Sequence, residues 1–137
     1  MEGVQCRLRV DKPVWEAGEV PEFKADVRNL GKRELIVFQA QVLCELEVDG
    51  DWFEWGASYD VRSSYFPVGR EYHDIAVTLE RNWHRKSDRA TLRLSPRKHS
   101  VRIAFTMQPT GSDKGAPVRV VSNAVEIEVL ADEEKED

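Results

Sequence analysis

The side chains best suited to metal binding or redox chemistry in this sequence are three histidines and two cysteines, and they are scattered along the chain. No two of His73, His84 and His99 have the short spacing of a zinc-binding pair. Cys6 and Cys44 lie far apart and form no Cys-x-x-Cys pair. A zinc or copper protein would bring such ligands together in the sequence, so we predict neither a metal site nor a cofactor.

Nucleophilic catalysis and calcium binding have equally little support. The serines of "SYDVRSSY" lack the Gly-x-Ser-x-Gly elbow of serine hydrolases, and no glycine-rich phosphate loop occurs. The acidic stretch "EVDGDW" contains Glu47, Asp49 and Asp51, but a hairpin turn already accounts for Asp-Gly. No twelve-residue loop with a distal glutamate follows it. We therefore expect a protein that is not an enzyme.

Aromatic residues crowd the stretch from 52 to 72 and give the strongest indication of binding. Alternation places Phe53 in the core and Trp52 on the opposite face of the same strand. Trp52, Tyr59 and Tyr65 are therefore candidate contacts for a protein partner or a sugar ring, because exposed aromatic patches often mark interaction sites. The alternative is that the irregular segment around them folds over the sheet and buries them.

Composition restricts the class of protein. The chain has 137 residues, of which 41% are hydrophobic and 33% charged, with a formal net charge of −5. These values are typical of one globular domain and unlike those of a disordered chain. The acidic charge balance argues against a nucleic-acid partner. No apolar run is long enough to cross a bilayer, and the N-terminus does not have the pattern of a signal peptide. Both ends look like joints, so we expect a domain excised from a longer chain.

Alternation of apolar and polar residues recurs along most of the chain and predicts the elements that hold these side chains. It indicates about eight short strands and no helix, apart from one possible helical turn near Trp83. We predict a single antiparallel β-sandwich over residues 1–130 and a disordered acidic tail over 131–137. The strongest local prediction is a hairpin that turns at Asp49-Gly50.

Both cysteines are in phase with apolar neighbours, so we expect them to point into the core. Free buried thiols are favoured, and a disulfide between Cys6 and Cys44 is the alternative if the compartment is oxidising.

The alternation also predicts a strand at "ATLRL", with Leu92 and Leu94 pointing into the core.

The stretch "LRLSPRKHSVRIAF" carries a resemblance to a known class of domain. Bacterial immunoglobulin-like and fibronectin-like domains often have Leu-x-Pro-Gly-x-Tyr-x-Val between two strands. Here Leu94, Pro96, Arg97, His99 and Val101 take those places. The resemblance implies that Pro96 and His99 form a structural corner, with His99 half-buried and bonded to backbone in place of the corner tyrosine. Arg97 stands where such domains usually have glycine, so the resemblance does not imply an equally tight turn here.

The two ends of the sequence extend this resemblance. "LRVDKPVWEAGEVPEFKADVRNLGKREL" is similar to the opening of such domains, and "VVSNAVEIEVL" is similar to their last strand. Similar domains are appended to larger bacterial proteins, including planctomycete proteins related to BlaR1-type metallopeptidases. The resemblance implies an immunoglobulin-like β-sandwich that serves as a non-catalytic interaction or spacer module, with a neighbouring domain or protein as partner. An extracytoplasmic location is favoured.

Two alternatives from other classes remain. A proteinase inhibitor of the β-sandwich kind would present an exposed loop, either "QPTGSDKGAP" or the 56–70 segment. A carbohydrate-binding module would use Trp52, Tyr59 and Tyr65 as its platform, with a glycan as ligand.

Overall fold

A computed structural model describes residues 3–38, 44–56, 63–110 and 115–131. These residues form two β-sheets and no helix. The twelve strands are β1 Val4–Val10, β2 Val14–Trp15, β3 Glu22–Asn29, β4 Leu35–Phe38, β5 Cys44–Val48, β6 Asp51–Trp55, β7 Ser63–Phe66, β8 Glu71–Thr78, β9 Trp83–Arg85, β10 Lys98–Pro109, β11 Val118–Val121 and β12 Val125–Val129.

The smaller sheet has three antiparallel strands in the order β1-β3-β8. Alternation in β3 places Phe23, Ala25 and Val27 in the core, where none is more than 1% exposed. The polar residues between them form the outer face of the sheet. The pairing of β3 with β8 is interrupted by a β-bulge, in which two residues of β8 lie opposite one residue of β3.

The larger sheet is built around β10, the longest strand. On one side β10 pairs with β11 and then β12, and on the other side with β5 and β4. β6 and β9 extend the sheet beyond β5, β7 pairs with β4, and β2 pairs with β12. The buried face of this sheet packs on the smaller sheet, so the protein is a β-sandwich, as the alternation predicts, and of the immunoglobulin-like kind that the sequence resemblance implies.

Four details differ from the sequence prediction. The described residues contain more than eight strands, because β2 and β9 form in stretches that were predicted as a bend and a crossover, and the closing stretch forms two strands, β11 and β12. The sandwich is not wholly antiparallel, since β2 and β12 run parallel. The crossover near Trp83 forms β9 and not a helical turn. "ATLRL" is not a strand but an extended segment with a single bridge at Thr91.

The predicted hairpin at Asp49-Gly50 is confirmed. Val48 pairs with Asp51, which leaves two residues in the turn. Their φ angles are +53° and +93°, which is the left-handed conformation that a two-residue turn between twisted strands requires. Glycine at the second position adopts this conformation without a steric penalty.

The core lies between the two sheets and includes both cysteines as free thiols. Burial, with a smaller effect from Asp26, raises the pKa of Cys6 to about 12, and burial also raises the pKa of Cys44. Trp83 is fully buried and its ring packs edge-on against Trp55, with centroids 5.3 Å apart. Its indole N–H donates to the carbonyl of Thr78 at 2.8 Å, which ties the crossover to the smaller sheet.

The path of the chain gives the sandwich two distinct ends. Gly3 lies beside the turn after β3, and its carbonyl accepts from the amide of Leu30. Ala131 follows Leu130, whose amide donates to Trp15 at the opposite end of the sheets. We call these the Gly3 end and the Ala131 end. β10 runs from one end to the other, and its twelve residues span about 40 Å.

Candidate functional site

The three histidines lie in separate environments. His73 is on the outer face of the smaller sheet, 3.1 Å from Glu71 and 3.5 Å from Asp26. His84 is on β9, where its ring occupies the space that a side chain at Gly56 would need. His99 is in β10 and is 3% exposed. Within the described ranges, no three histidine, cysteine or acidic residues form a group that could hold a metal ion.

His99 and Pro96 lie at the Ala131 end, where the chain enters β10. His99 Nδ1 is 2.6 Å from Asp49 Oδ2, and Nε2 is 2.8 Å from the carbonyl oxygen of Ser95. Arg97 Nη2 also donates to Asp49 Oδ2. Both partners of the imidazole are hydrogen-bond acceptors, a carboxylate oxygen on one side and a backbone carbonyl oxygen on the other.

Asp49 is the common hydrogen-bond acceptor of this corner. Burial would raise the pKa of its carboxyl group, but hydrogen bonds from His99 and the Ser100 amide outweigh burial and lower the pKa. His99, at 3% exposed, is more deeply buried than the half-buried position that the sequence predicts. The arrangement joins the Asp49-Gly50 turn to the start of β10 and leaves the imidazole enclosed. Pro96 itself is exposed.

The candidate aromatic surface lies on the outer face of the larger sheet. The ring of Trp52 is half-buried beneath two guanidinium groups, with Arg119 4.6 Å and Arg102 5.9 Å from its centroid. Arg119 in turn donates to Glu45, and Arg102 makes two hydrogen bonds to Glu47. The cations that stack on Trp52 are held by carboxylates, so this ring is part of an ion-paired sheet face.

Tyr65 is on the same outer face but far from Trp52. Trp52 aligns through β5 with Arg102, and Tyr65 aligns through β4 with Gln108. Six residues of β10 separate these levels (102 to 108), which is about 20 Å. Tyr65 is 51% exposed, and its hydrogen bond to Glu34 raises the pKa of its hydroxyl group. Tyr59 lies outside the described residues.

A buried carboxylate on the smaller sheet was not singled out by sequence reasoning. Asp26 is on the outer face of β3, and only 7% of its side chain is exposed. Arg7 and Arg9 each donate two hydrogen bonds to it at 2.8–3.1 Å. The β8 bulge adds a fifth donor, the backbone amide of Asp74, at 3.0 Å. Hydrogen bonds from Arg9, reinforced by the Asp74 amide and by Arg7, hold the pKa of Asp26 well below its usual range despite burial.

A second polar junction explains part of the "VVSNAVEIEVL" pattern. Ser122 and Asn123 lie where β11 gives way to β12, and both Ser122 N–H and Ser122 Oγ bond to the backbone of Ile103. The amide of Asn123 accepts from Leu8 N–H at 2.9 Å and donates to Leu8 C=O at 3.0 Å. Leu8 belongs to β1, so Asn123 joins the edge of the smaller sheet to the larger sheet.

The Ala131 end carries an apolar groove of about 720 Å³. One wall is the bend at residues 17–21, and the other is formed by the residues after β8 and by residues 92–94 and Pro96. Val20 is 45% exposed and Leu130 is 37% exposed, both on the groove. Four charged residues also line the groove: Glu19 on the bend, and Glu80, Arg81 and Arg93 on the opposite wall. Glu19 is paired with Lys12 at 3.0 Å.

The Gly3 end carries two adjacent turns, 30–33 and 67–70. Backbone bonds between Asn29 and residues Gly69 and Arg70 hold these turns side by side. Leu30 is 52% exposed at the tip of one turn, and Val68 is 50% exposed at the tip of the other. A tight contact between Gly3 and Gly31 fixes the base of the first turn, since a Cβ atom on Gly3 would lie 2.7 Å from Gly31 Cα. We call Leu30 and Val68 the paired turn tips.

Comparisons with known proteins support the fold and do not assign a family. No protein-family model matches the chain, and no curated protein matches it. Among solved structures, the alkylpurine DNA glycosylase AlkC of Pseudomonas fluorescens, bound to DNA containing an abasic-site analogue, aligns with 94% of the chain at 14% identity and a TM-score of 0.50. The match spans 31% of that enzyme, so it shows a shared fold and nothing about activity.

Two further solved structures align at lower TM-scores. A CARDB domain from Pyrococcus furiosus, in complex with di-metal ions, covers 96% of the chain and 98% of itself at 9% identity and a TM-score of 0.48. A β-glucosidase from Listeria innocua, in complex with glucose, matches 93% of the chain and 16% of the enzyme at 16% identity and a TM-score of 0.42. These scores are too low to transfer a metal site or a substrate.

Proposed function

We propose that this chain is a non-catalytic accessory domain that acts as a rigid spacer and makes protein contacts at its two ends. The observation that carries the proposal is the position of Gly3 and Ala131 at opposite ends of the sandwich. A β10 strand of about 40 Å connects those ends, and its buried residues pack against both sheets. Domains attached at the two ends would be separated by the length of the sandwich.

The distribution of apolar surface supports the same function. Five of the six large apolar side chains that are exposed in the described residues lie at the ends or at the last strand: Val20 and Leu130 on the groove, Val14 beside it, and the paired turn tips. Exposed apolar side chains that cluster in this way are typical of contact sites. The outer face of the larger sheet is covered instead by ion pairs, such as those around Trp52.

The sequence resemblance to domains appended to bacterial proteins adds support for an accessory role. The more specific similarity to planctomycete proteins of the BlaR1-associated kind, and an extracytoplasmic location, remain predictions. No helix in the described ranges is long and apolar enough to span a membrane. The carbohydrate-binding alternative is not favoured, because guanidinium groups stack on Trp52 and Tyr65 lies about 20 Å away. The loops of the inhibitor alternative fall partly outside the described residues.

Single-molecule fluorescence transfer tests the spacer role. A donor dye would be attached beside Gly3 and an acceptor beside Ala131, and the efficiency measured in native buffer. A rigid sandwich gives one narrow distribution that corresponds to well-separated ends. A broad distribution, or a mean close to that of the denatured chain, would refute a spacer role. As a control for dye effects, the labelled and unlabelled proteins should have the same urea midpoint.

A further inference from the structure

We propose that the free edge of β1 binds an extended acidic peptide of a partner protein, which adds to the smaller sheet as a fourth strand. β1 is the edge strand of the β1-β3-β8 sheet and pairs with β3 on one side. Strands that add to an edge are held by main-chain hydrogen bonds, and the side chains beside the edge select their sequence. The proposal concerns the side of the sandwich and goes beyond the contacts proposed at its ends.

The direction of the β1 peptide groups follows from one observed contact. The N–H and the C=O of Leu8 both bond to the side chain of Asn123, so they point away from β3. Alternate residues of an antiparallel strand point their peptide groups to opposite sides, so those of Val4 and Cys6 also point away from β3. Within the described ranges, no hydrogen bond satisfies the N–H or C=O of Val4 or Cys6. This part of the β1 edge is therefore open.

The contact with Asn123 shows what this edge recognises. The Asn123 amide presents one acceptor and one donor to Leu8, as the backbone of an adjacent strand would. Val4 and Cys6 present the same pair of groups about 7 Å apart, which is the two-residue repeat of an extended chain. A ligand that bonds to both must repeat a donor and an acceptor at this spacing. An extended polypeptide does so, whereas a helix uses its peptide groups internally.

The structure offers space beside this part of the edge. A depression of about 630 Å³ is lined by Val4 and Cys6 of β1 and by Val120 and Val121 of β11, among other residues. Side chains of an added strand that lie opposite Val4 and Cys6 share their face of the sheet. These positions would contact the β11 valines and favour apolar side chains.

The outward side chains of β1 favour carboxylates on the added strand. Its outward positions would lie opposite Gln5 and Arg7, and β1 contains no acidic residue. Arg7 donates to Asp26 through Nε and Nη2, its side chain is 67% exposed, and its Nη1 has no partner among the described residues. A carboxylate opposite Arg7 can therefore accept from Nη1 without breaking the pair with Asp26.

The carboxylates near this site do not reverse its charge. Asp26 lines the depression but is bonded by two arginines, and Glu71 lies on β8, two strands from the edge and 3.1 Å from a histidine. Arg28 of β3 bonds to the Gln5 amide and forms no ion pair within the described chain. The same cations disfavour β1 of a second copy, because that strand carries two arginines and no carboxylate.

Hydrogen exchange of the unaltered chain gives the first test. In the free protein, the amides of Gln5 and Arg7 should be protected by β3, while the Cys6 amide exchanges fast. The probe is the synthetic peptide acetyl-Glu-Val-Thr-Val-Glu-amide, whose valines would lie opposite Val4 and Cys6. At saturating peptide, protection of the Cys6 amide should rise at least about tenfold. An unchanged Cys6 amide at about 5 mM peptide overturns the proposal.

Two altered peptides separate the contributions of charge and backbone. Lysine in place of both glutamates should weaken binding at least about tenfold, because a cation then lies opposite Arg7. Methylation of both valine nitrogens removes the donors to β1 and should abolish the protection of Cys6. Equal binding of the lysine peptide would show that the partner is not selected for acidity. Equal binding of the methylated peptide would show that no strand is added.

Two substitutions at one position test the edge in the protein itself. Cys6→Pro removes an N–H that points away from β3, which is where an edge strand tolerates proline. Cys6→Ala is the matched control, since it removes the same thiol and keeps the N–H. We expect Cys6→Ala to bind the probe like the unaltered chain and Cys6→Pro to bind at least about tenfold more weakly. Equal binding by the two variants contradicts the proposal.

Urea denaturation verifies that both variants are folded, and the peptide comparison decides the question if Cys6→Pro is not. A dilution series without peptide completes the test. Protection of the Cys6 amide should not depend on protein concentration. If it rises with concentration, a second copy occupies the edge and the assignment to an acidic partner is wrong.

Discussion

Replacement of Asn123 by alanine should destabilise the sandwich by about 2–3 kcal/mol. The substitution removes two hydrogen bonds to Leu8, at 2.9 and 3.0 Å, each with a net value of roughly 1 kcal/mol. Leu8 is 2% exposed, but Asn123 is exposed and the two hydrogen bonds are only partly buried, so water replaces part of what is lost and the cost lies near the lower end of this range. For a domain of this size, such a loss lowers the Tm by about 10 °C.

Urea denaturation followed by tryptophan fluorescence measures this change, because Trp83 is fully buried in the folded state. Hydrogen exchange at the Leu8 amide locates it. Protection of that amide should fall in Asn123→Ala and persist in Asn123→Asp, which keeps an acceptor for Leu8 N–H. Glu126→Ala is the matched control on the neighbouring strand; Glu126 is exposed, and we expect a change within about 0.5 kcal/mol.

The hydrogen-exchange result separates a specific junction from a general loss of packing. If Asn123→Ala changes the free energy of unfolding by less than about 0.5 kcal/mol, Asn123 does not join the two sheets energetically. If the Leu8 amide keeps its protection in Asn123→Ala, water or the backbone replaces the side chain, and the stated cause is wrong.

Three further changes test other features of the fold. Asp26→Asn should reduce the free energy of unfolding by about 2–3 kcal/mol at pH 7. Because Arg9 and its neighbours lower the pKa of Asp26 in the folded state, this deficit should persist down to the unfolded pKa of about 4 and shrink as the pH falls further. Urea midpoints that show an equal deficit at pH 7 and pH 3 would contradict this. His99→Phe keeps a buried ring but loses the bonds to Asp49 and the Ser95 carbonyl, so thermal unfolding should show a loss of about 2 kcal/mol; an unchanged Tm would show that these bonds are not stabilising. Gly50→Ala should cost about 1–2 kcal/mol in urea denaturation because φ is +93° while no atom lies within 4 Å of the new Cβ, and a neutral effect would mean that the turn relaxes.

The fold class was predictable because strand alternation and turn chemistry are local. Phe23, Ala25 and Val27 have the period of two that a half-buried strand requires, and all three are buried. Asp49-Gly50 has the residues that a two-residue turn needs, and it forms that turn. Strand divisions were less predictable. The break at Ser122–Asn123 depends on hydrogen bonds to β10 and β1, which are distant in sequence.

The polar networks could not be predicted for the same physical reason. Asp26 reads as an ordinary outward residue of β3, and only the pairing of β1 with β3 places Arg7 opposite it. The β8 bulge then supplies the Asp74 amide, and no local pattern in "EYHDIAV" indicates a bulge. Trp52 was assigned to the correct face by alternation. The stacking of Arg119 on its ring depends on β11, which is more than sixty residues away.

The sides and the ends of the sandwich differ in what a partner would have to displace. On the larger sheet, a partner at Trp52 would compete with guanidinium groups that are already stacked on the ring and paired with Glu45 and Glu47. On the smaller sheet it would meet Asp26, whose acceptor oxygens are occupied by Arg7 and Arg9. Disruption of such pairs costs desolvation energy that new contacts must recover. At the ends, the exposed apolar side chains offer area that association buries without breaking an ion pair. A contact at either end would therefore break fewer existing ion pairs than a contact on the outer face of either sheet.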